Sequence, residues 1–202
     1  ASNTNSALAN LDSGIGLLYR MNSTGSGMHD KFLAIDAEST ENAVTITGST
    51  NCTASSFFYD ANNVVIVRDQ ALTRAYRTEF EEMWGGMGTQ PNVANSRFGA
   101  QKTDNTPHRF IIGGRRVSCY FSPSDHTTSY IIDAVNSAQA SIYFSLLTLT
   151  RSDIANALLA RHTAGLRVLG AIDSKDDQGS QYDYLVGKGM DIRLKAGSGL
   201  LH

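Results

Sequence analysis

Five side chains in one short stretch have the types and spacing to do chemistry together. His29 and Lys31 stand two apart, just ahead of the apolar run Phe32-Leu33-Ala34-Ile35, and Asp36 closes that run. Ser49 and Asn51, again two apart, come after a second run, Ala43-Val44-Thr45-Ile46-Thr47. Side chains on an extended chain alternate between faces, so residues two apart point the same way. The polar link Glu38-Ser39-Thr40-Glu41-Asn42 has hairpin length. The pattern predicts two neighbouring strands whose shared edge carries an imidazole, an ammonium, a carboxylate, a hydroxyl and a carboxamide. A neutral imidazole is a nucleophile or a proton carrier near pH 7. Lys31 and Asn51 offer fixed donors for oxygens whose charge changes during a reaction. A carboxylate such as Asp36 can hold an imidazole in one tautomer. A lone His-x-Lys reads as an ordinary loop pair. With Asp36 and Gly48-Ser49-x-Asn51 behind it, the set suits a phosphodiester.

The surrounding elements have to position these groups. Residues 64–67 form a nearly continuous apolar run, expected as a central strand buried on both faces. Residues 70–84 then read as an amphipathic helix, with Leu72, Tyr76, Phe80 and Trp84 recurring at i+4 as a core stripe and Met83 beside them, and Gly85-Gly86 ends it. Earlier, residues 6–11 read as a helix end and residues 15–20 as a strand. Residues 85–108 are rich in Gly, Asn and Gln and read as a long connection. The second half alternates: strand 116–121, a helix capped by Ser124 or Asp125 with Ile131, Ile132, Val135 and Ala138 inward, strand 141–149, a helix capped by Ser152, strand 166–172, short helix 178–187 and strand 191–194. Such alternation predicts an α/β protein of mixed, mostly parallel sheets flanked by helices.

The bulk composition narrows the classes. The 202 residues are 41% hydrophobic, enough for one large core or two modest ones. A net charge of −2 gives no global basic field to recruit nucleic acid or anionic lipid. No apolar run is long enough to span a membrane. Cys52 and Cys119 form no C-x-x-C, and their pairing stays open. Few lysines beside many Ser, Thr, Asn and Gly residues suggest a secreted or periplasmic protein. His108, His126 and His162 are assigned no chemistry.

His29-x-Lys31-(four residues)-Asp36 followed by Gly48-Ser49-x-Asn51 resembles the HKD signature of the phospholipase D superfamily, in particular its bacterial phospholipase D-like and cardiolipin synthase-like members. Residues 62–69 and the helix ending at Trp84 resemble the segment that comes after the motif in that family. The resemblance implies a duplicated fold with one motif per half. A second segment supports this: Gly189-Met190-Asp191-Ile192-Arg193-Leu194-Lys195, a Gly/Ser loop and Leu200-Leu201-His202 echo Gly14-Ile15-Gly16-Leu17-Leu18-Tyr19-Arg20, a Gly/Ser loop and Met28-His29. His202 is then expected to open the second motif. The sequence reads as a piece running from the end of repeat one to the start of repeat two: 1–88, a linker at 89–108, and 109–202.

By that resemblance, His29, Lys31, Asp36 and His202 are the expected catalytic residues, and Lys31, Ser49 and Asn51 the expected phosphate-binding ones. One histidine would attack phosphorus to give a phosphohistidine, and the other would protonate the leaving alcohol. No metal and no cofactor is expected. The implied activity is that of a phosphodiesterase or phosphatidyltransferase of phospholipids. The alternatives are a nuclease of the same superfamily acting on DNA or RNA, and a catalytically incomplete phosphate-binding fragment. The two histidines are expected to converge on one pocket, which missing chain segments or a dimer mate would complete.

Overall fold

The computed structural model describes residues 15, 16, 18 and 28–202. The helix expected at 6–11 and most of the strand expected at 15–20 lie outside the described residues, and so does most of the first copy of the proposed repeat. The described elements run β1 (Phe32–Ile35), β2 (Val44–Gly48), α1 (Ala54–Phe58), β3 (Val64–Val67), α2 (Gln70–Trp84), a 3₁₀ turn at Gly99–Gln101, β4 (Arg109–Ile112), β5 (Arg115–Ser118), α3 (Thr127–Asn136), β6 (Ser141–Leu146), α4 (Ser152–Thr163), β7 (Arg167–Ile172), α5 (Tyr182–Gly187) and β8 (Asp191–Leu194). The strands form three sheets, ordered β1-β2-β3, β4-β5 and β6-β7-β8. The protein is thus α/β, with parallel pairing in its third sheet. No helix among the described residues is long and apolar enough to cross a membrane.

The chain divides into two compact units: Ala1–Asp30, Ala34–Thr45 and Arg68–Asp125 make one, and Lys31–Leu33, Ile46–Val67 and His126–His202 the other. In the first, Asp69 caps α2 by accepting the Leu72 N–H at 2.8 Å, and Gly85 ends it at φ 89°. A Cβ at Gly85 would sit 2.0 Å from the Asn92 carbonyl, so only glycine fits this left-handed position. The buried stripe of α2 keeps Leu72, Met83 and Trp84 of the expected one and departs from it at Phe80. Leu72, Ala75, Met83 and Trp84 are buried with Thr73 and Glu79, while Phe80 is 42% exposed and stacks on Trp84. Steps of four residues overshoot a 3.6-residue turn, so an i+4 row winds off the buried face. Strands β4 and β5 form an antiparallel hairpin over Gly113-Gly114, both at positive φ, as a two-residue hairpin turn requires. The sequence reading missed β4. It also ran β5 through to residue 121.

In the second unit β6, β7 and β8 are parallel neighbours, with α4 and α5 as the crossovers. Their core holds Leu158, Val168, Ile172, Leu185, Met190 and Ile192. Gly170 pairs with Phe144, and a Cβ there would lie 2.2 Å from the Phe144 ring, so the glycine makes room for the aromatic. The expected cap of α3 is corrected. The helix starts at Thr127 after His126, which has φ 52° and makes no side-chain cap bond. Of the face expected to be inward, Val135 packs on the core, whereas Ile131 is 46% exposed. The expected Ser152 cap is also shifted, because Arg151 takes that position. Strand β3 is corrected too. It is an edge strand, with Val64, Val65 and Ile66 about half exposed or more. An apolar run does not reveal whether anything covers it.

Candidate active site

In the second unit the chain end is stitched onto the loop that leaves α1. Ala61 and Leu201 form a parallel bridge, the Ala61 N–H donates to the Leu200 carbonyl at 2.7 Å, and the His202 N–H donates to the Ala61 carbonyl at 3.0 Å. Two carboxylates hold the same segment: Asp60 accepts the Leu200 N–H at 2.9 Å, and Asp173 accepts the Leu201 N–H. This places the half-buried His202 ring against the end of β2. Its Nδ1 lies 3.0 Å from the Ser49 carbonyl and 3.2 Å from Asn62 Oδ1. A carbonyl oxygen only accepts, so Nδ1 carries the proton, and in the neutral ring Nε2 holds the lone pair. An imidazole with its lone pair at Nε2 is competent as nucleophile or base.

Asn62 is the residue the sequence reading missed. Its Oδ1 also accepts the Ser49 hydroxyl at 3.0 Å, and its Nδ2 donates to the Ser56 carbonyl at 3.0 Å. The Ser49 hydroxyl in turn accepts the Asn63 N–H at 3.1 Å. A hydroxyl has a single proton to give, and Ser49 gives it to Asn62, so Ser49 braces the partner of His202. The sequence signal for Asn62 was its place directly before Asn63 and β3, in a stretch read only as a strand lead-in. Lys31 is half-buried, and its carbonyl accepts the Thr47 hydroxyl at 3.1 Å. Asn51 is exposed, and its carbonyl accepts the Thr53 N–H at the start of α1.

In the first unit, exposed His29 lines a cavity of about 370 Å³ together with Asp30 and Lys102. Asp36 lines a different depression, of about 540 Å³, with Glu38 and Arg77. It sits at φ 49° in the turn that leaves β1. His29 and Asp36 therefore face different cavities of the same unit. In the second unit Ser49, Asn62 and His202 are joined by direct hydrogen bonds. Lys102 contacts the carboxylate of Glu79, and both side chains are almost fully buried. Burial is the larger influence on Glu79 and raises its carboxyl above the ordinary 4.5 even beside this ammonium.

One set of potential metal ligands occurs among the described residues, Asp104, His108 and Asp125. Their donor atoms are already engaged within the protein. His108 Nε2 lies 2.9 Å from Asp104, and its Nδ1 lies 3.1 Å from the Cys119 carbonyl. Asp125 accepts the Phe121 N–H and the Ser124 hydroxyl. The trio reads as a strut that ties the hairpin to the connection before it. Both cysteines are free thiols. Cys52 is exposed, and burial pushes Cys119 up to about 11, which leaves it unreactive near neutrality.

Comparison with known proteins agrees with the motif. Residues 3–84 match the family described as the cardiolipin synthase, PLD-like domain. A mitochondrial cardiolipin hydrolase of Xenopus laevis is 33% identical over 69 residues, 34% of this chain and 30% of that protein. One from Canis lupus familiaris is 33% identical over 101 residues, 49% of this chain and 36% of that protein. One from Xenopus tropicalis is 32% identical over 69 residues. The matches span about a third of the length of these relatives. Their names, mitochondrial and from vertebrates, overturn the secreted or periplasmic expectation, and the bacterial affiliation has no support among them. Composition reports how a surface is solvated and carries no address. The matched segment contains His29, Lys31, Asp36, Ser49 and Asn51 in order, and over residues 3–84 the chain is similar to the phospholipase D superfamily.

Proposed function

We propose that this chain provides the catalytic groups of a phospholipase D-like phosphodiesterase acting on phospholipid head groups. The observation that carries the reading is the hold on His202. Its Nδ1 donates to the Ser49 carbonyl at 3.0 Å, and this leaves Nε2 as the reactive nitrogen. In the first step the Nε2 lone pair of one motif histidine attacks phosphorus. The P–O bond to the alcohol breaks, and the other motif histidine gives that oxygen its proton. In the second step the same histidine takes a proton from water or an acceptor alcohol. The new oxygen attacks phosphorus and the N–P bond breaks. Lys31 and Asn51 hold the non-bridging oxygens as their charge changes, Asp36 supports the motif from its turn, and Ser49 acts through Asn62.

Phospholipids are preferred to nucleic acid on two grounds. The named relatives are cardiolipin hydrolases, and a net charge of −2 supplies no backbone-tracking field. Side-by-side assays in EDTA, one of head-group release from phospholipid vesicles and one of single-stranded DNA digestion, test the choice. Head-group release without DNA cleavage is expected. DNA cleavage without lipid turnover would reverse the assignment.

A further inference from the structure

The β4–β5 hairpin of the first unit has a covered face and an open one. Cross-strand partners in an antiparallel pair share a face. Phe110 and Val117, with Ile112 and Arg115, therefore lie on one side, and Arg109 and Ser118, with Ile111 and Arg116, on the other. On the first side Phe110 is buried and Ile112 and Val117 are half-buried. On the second side all four residues are exposed, Ile111 by 69%. Arg115 is exposed beside the turn. Residues 109–118 hold three arginines and no carboxylate. None of these arginines makes an ion pair among the described residues. Asp104 and Asp125, the nearest carboxylates along the chain, are taken up by His108 and by the Phe121 N–H and the Ser124 hydroxyl. A single exposed isoleucine is ordinary. Ile111 is set directly opposite one free guanidinium and two residues from another, and this gives the face a definite chemistry.

Guanidiniums recognise phosphate oxygens. Rows of phosphates occur on nucleic acid and on an anionic bilayer. Only the bilayer has hydrocarbon directly beneath its phosphates, where an apolar side chain is buried while cationic ones stay at head-group level. A net charge of −2 also leaves no wider field to track a nucleic-acid backbone. We propose that the open face of the β4–β5 hairpin docks on an anionic phospholipid bilayer, with Arg109, Arg115 and Arg116 on lipid phosphates and Ile111 at the acyl boundary. The surface lies outside the residues proposed for catalysis. Each arginine close to an anionic leaflet strengthens partitioning about fivefold, and salt screens the attraction.

The test is co-sedimentation of the full chain in EDTA with vesicles of phosphatidylcholine alone or mixed with phosphatidylglycerol. It reads binding without turnover, so its result is separate from that of the catalytic reading. The parent is expected on the mixed vesicles and not on phosphatidylcholine. Arg109→Gln combined with Arg116→Gln should weaken that partitioning about twentyfold, and Ile111→Ser severalfold. Arg151→Gln combined with Arg193→Gln makes the same change of net charge at two exposed arginines already paired with Asp153 and Asp191, and should leave partitioning nearly unchanged. All four positions are on the surface, and matching Tm values confirm the fold. Equal partitioning onto the two kinds of vesicle, no binding to either, or an equal loss in the control pair overturns the inference. Capture of a single-stranded RNA oligonucleotide in place of the mixed vesicles overturns it as well.

Discussion

Asn62 braces His202 from outside the motif, beside the Ser49 carbonyl. It accepts from the Ser49 hydroxyl, lies within hydrogen-bond reach of the imidazole and is anchored on the Ser56 carbonyl. Asn62→Ala should lower kcat by about tenfold, equivalent to ~1.4 kcal/mol, with little change in KM, because a positioning group acts on the step and not on binding. Asn62→Asp should instead move the pH–rate profile to higher pH, because a carboxylate favours the charged imidazole. A kcat unchanged in Asn62→Ala would remove it from the machinery. Glu79 gives a second residue-scale prediction, of pH dependence. A carboxyl raised by folding contributes stability that is fully present below about 4.5 and lost as pH rises through the raised value. Glu79→Gln keeps the shape and removes the titration. The parent protein should lose thermal stability relative to this variant as pH rises from about 4 toward neutrality. Parallel Tm curves would contradict that.

The elements that matter most are the short connections. The segment from Lys195 to His202 reaches the end of β2 only because Gly199 turns at φ 78°, where a Cβ would lie 2.0 Å from the Tyr59 carbonyl. None of the buried core of its unit comes from that segment. Gly199→Ala should therefore reduce turnover sharply while moving Tm only slightly, and full turnover in the variant would show that the docking is dispensable. This scale also shows what the sequence made legible. Strands β1, β2, β6, β7 and β8 and helices α2 and α4 were readable because periodicity and caps are local signals. The β4–β5 hairpin went half unread because its first strand, Arg-Phe-Ile-Ile, is too short to stand out from the connection before it. The burial of β3 was misread because exposure depends on what else packs against it, which a run of valines does not encode. Type and spacing alone mark out His29, Lys31, Asp36, Ser49 and Asn51 as a group, and the family match over residues 3–84 covers all five. Asn62 and the buried Lys102–Glu79 pair were not legible in this way, because their partners lie far off in sequence or in unmarked connections.

At the scale of the whole molecule, the proposed reaction calls on two histidines of one chain, His29 and His202. In that proposal one forms the N–P bond and the other handles the proton. The most direct measurement is alkaline-quenched trapping of the phosphoenzyme from a ³²P-labelled diester in EDTA, on the parent chain and on His29→Asn and His202→Asn. A base-stable, acid-labile phosphoryl adduct is expected on the parent, absent from one variant and accumulating in the other, with steady turnover lost in both. Full turnover in either variant, or an adduct that survives both substitutions, would contradict the account.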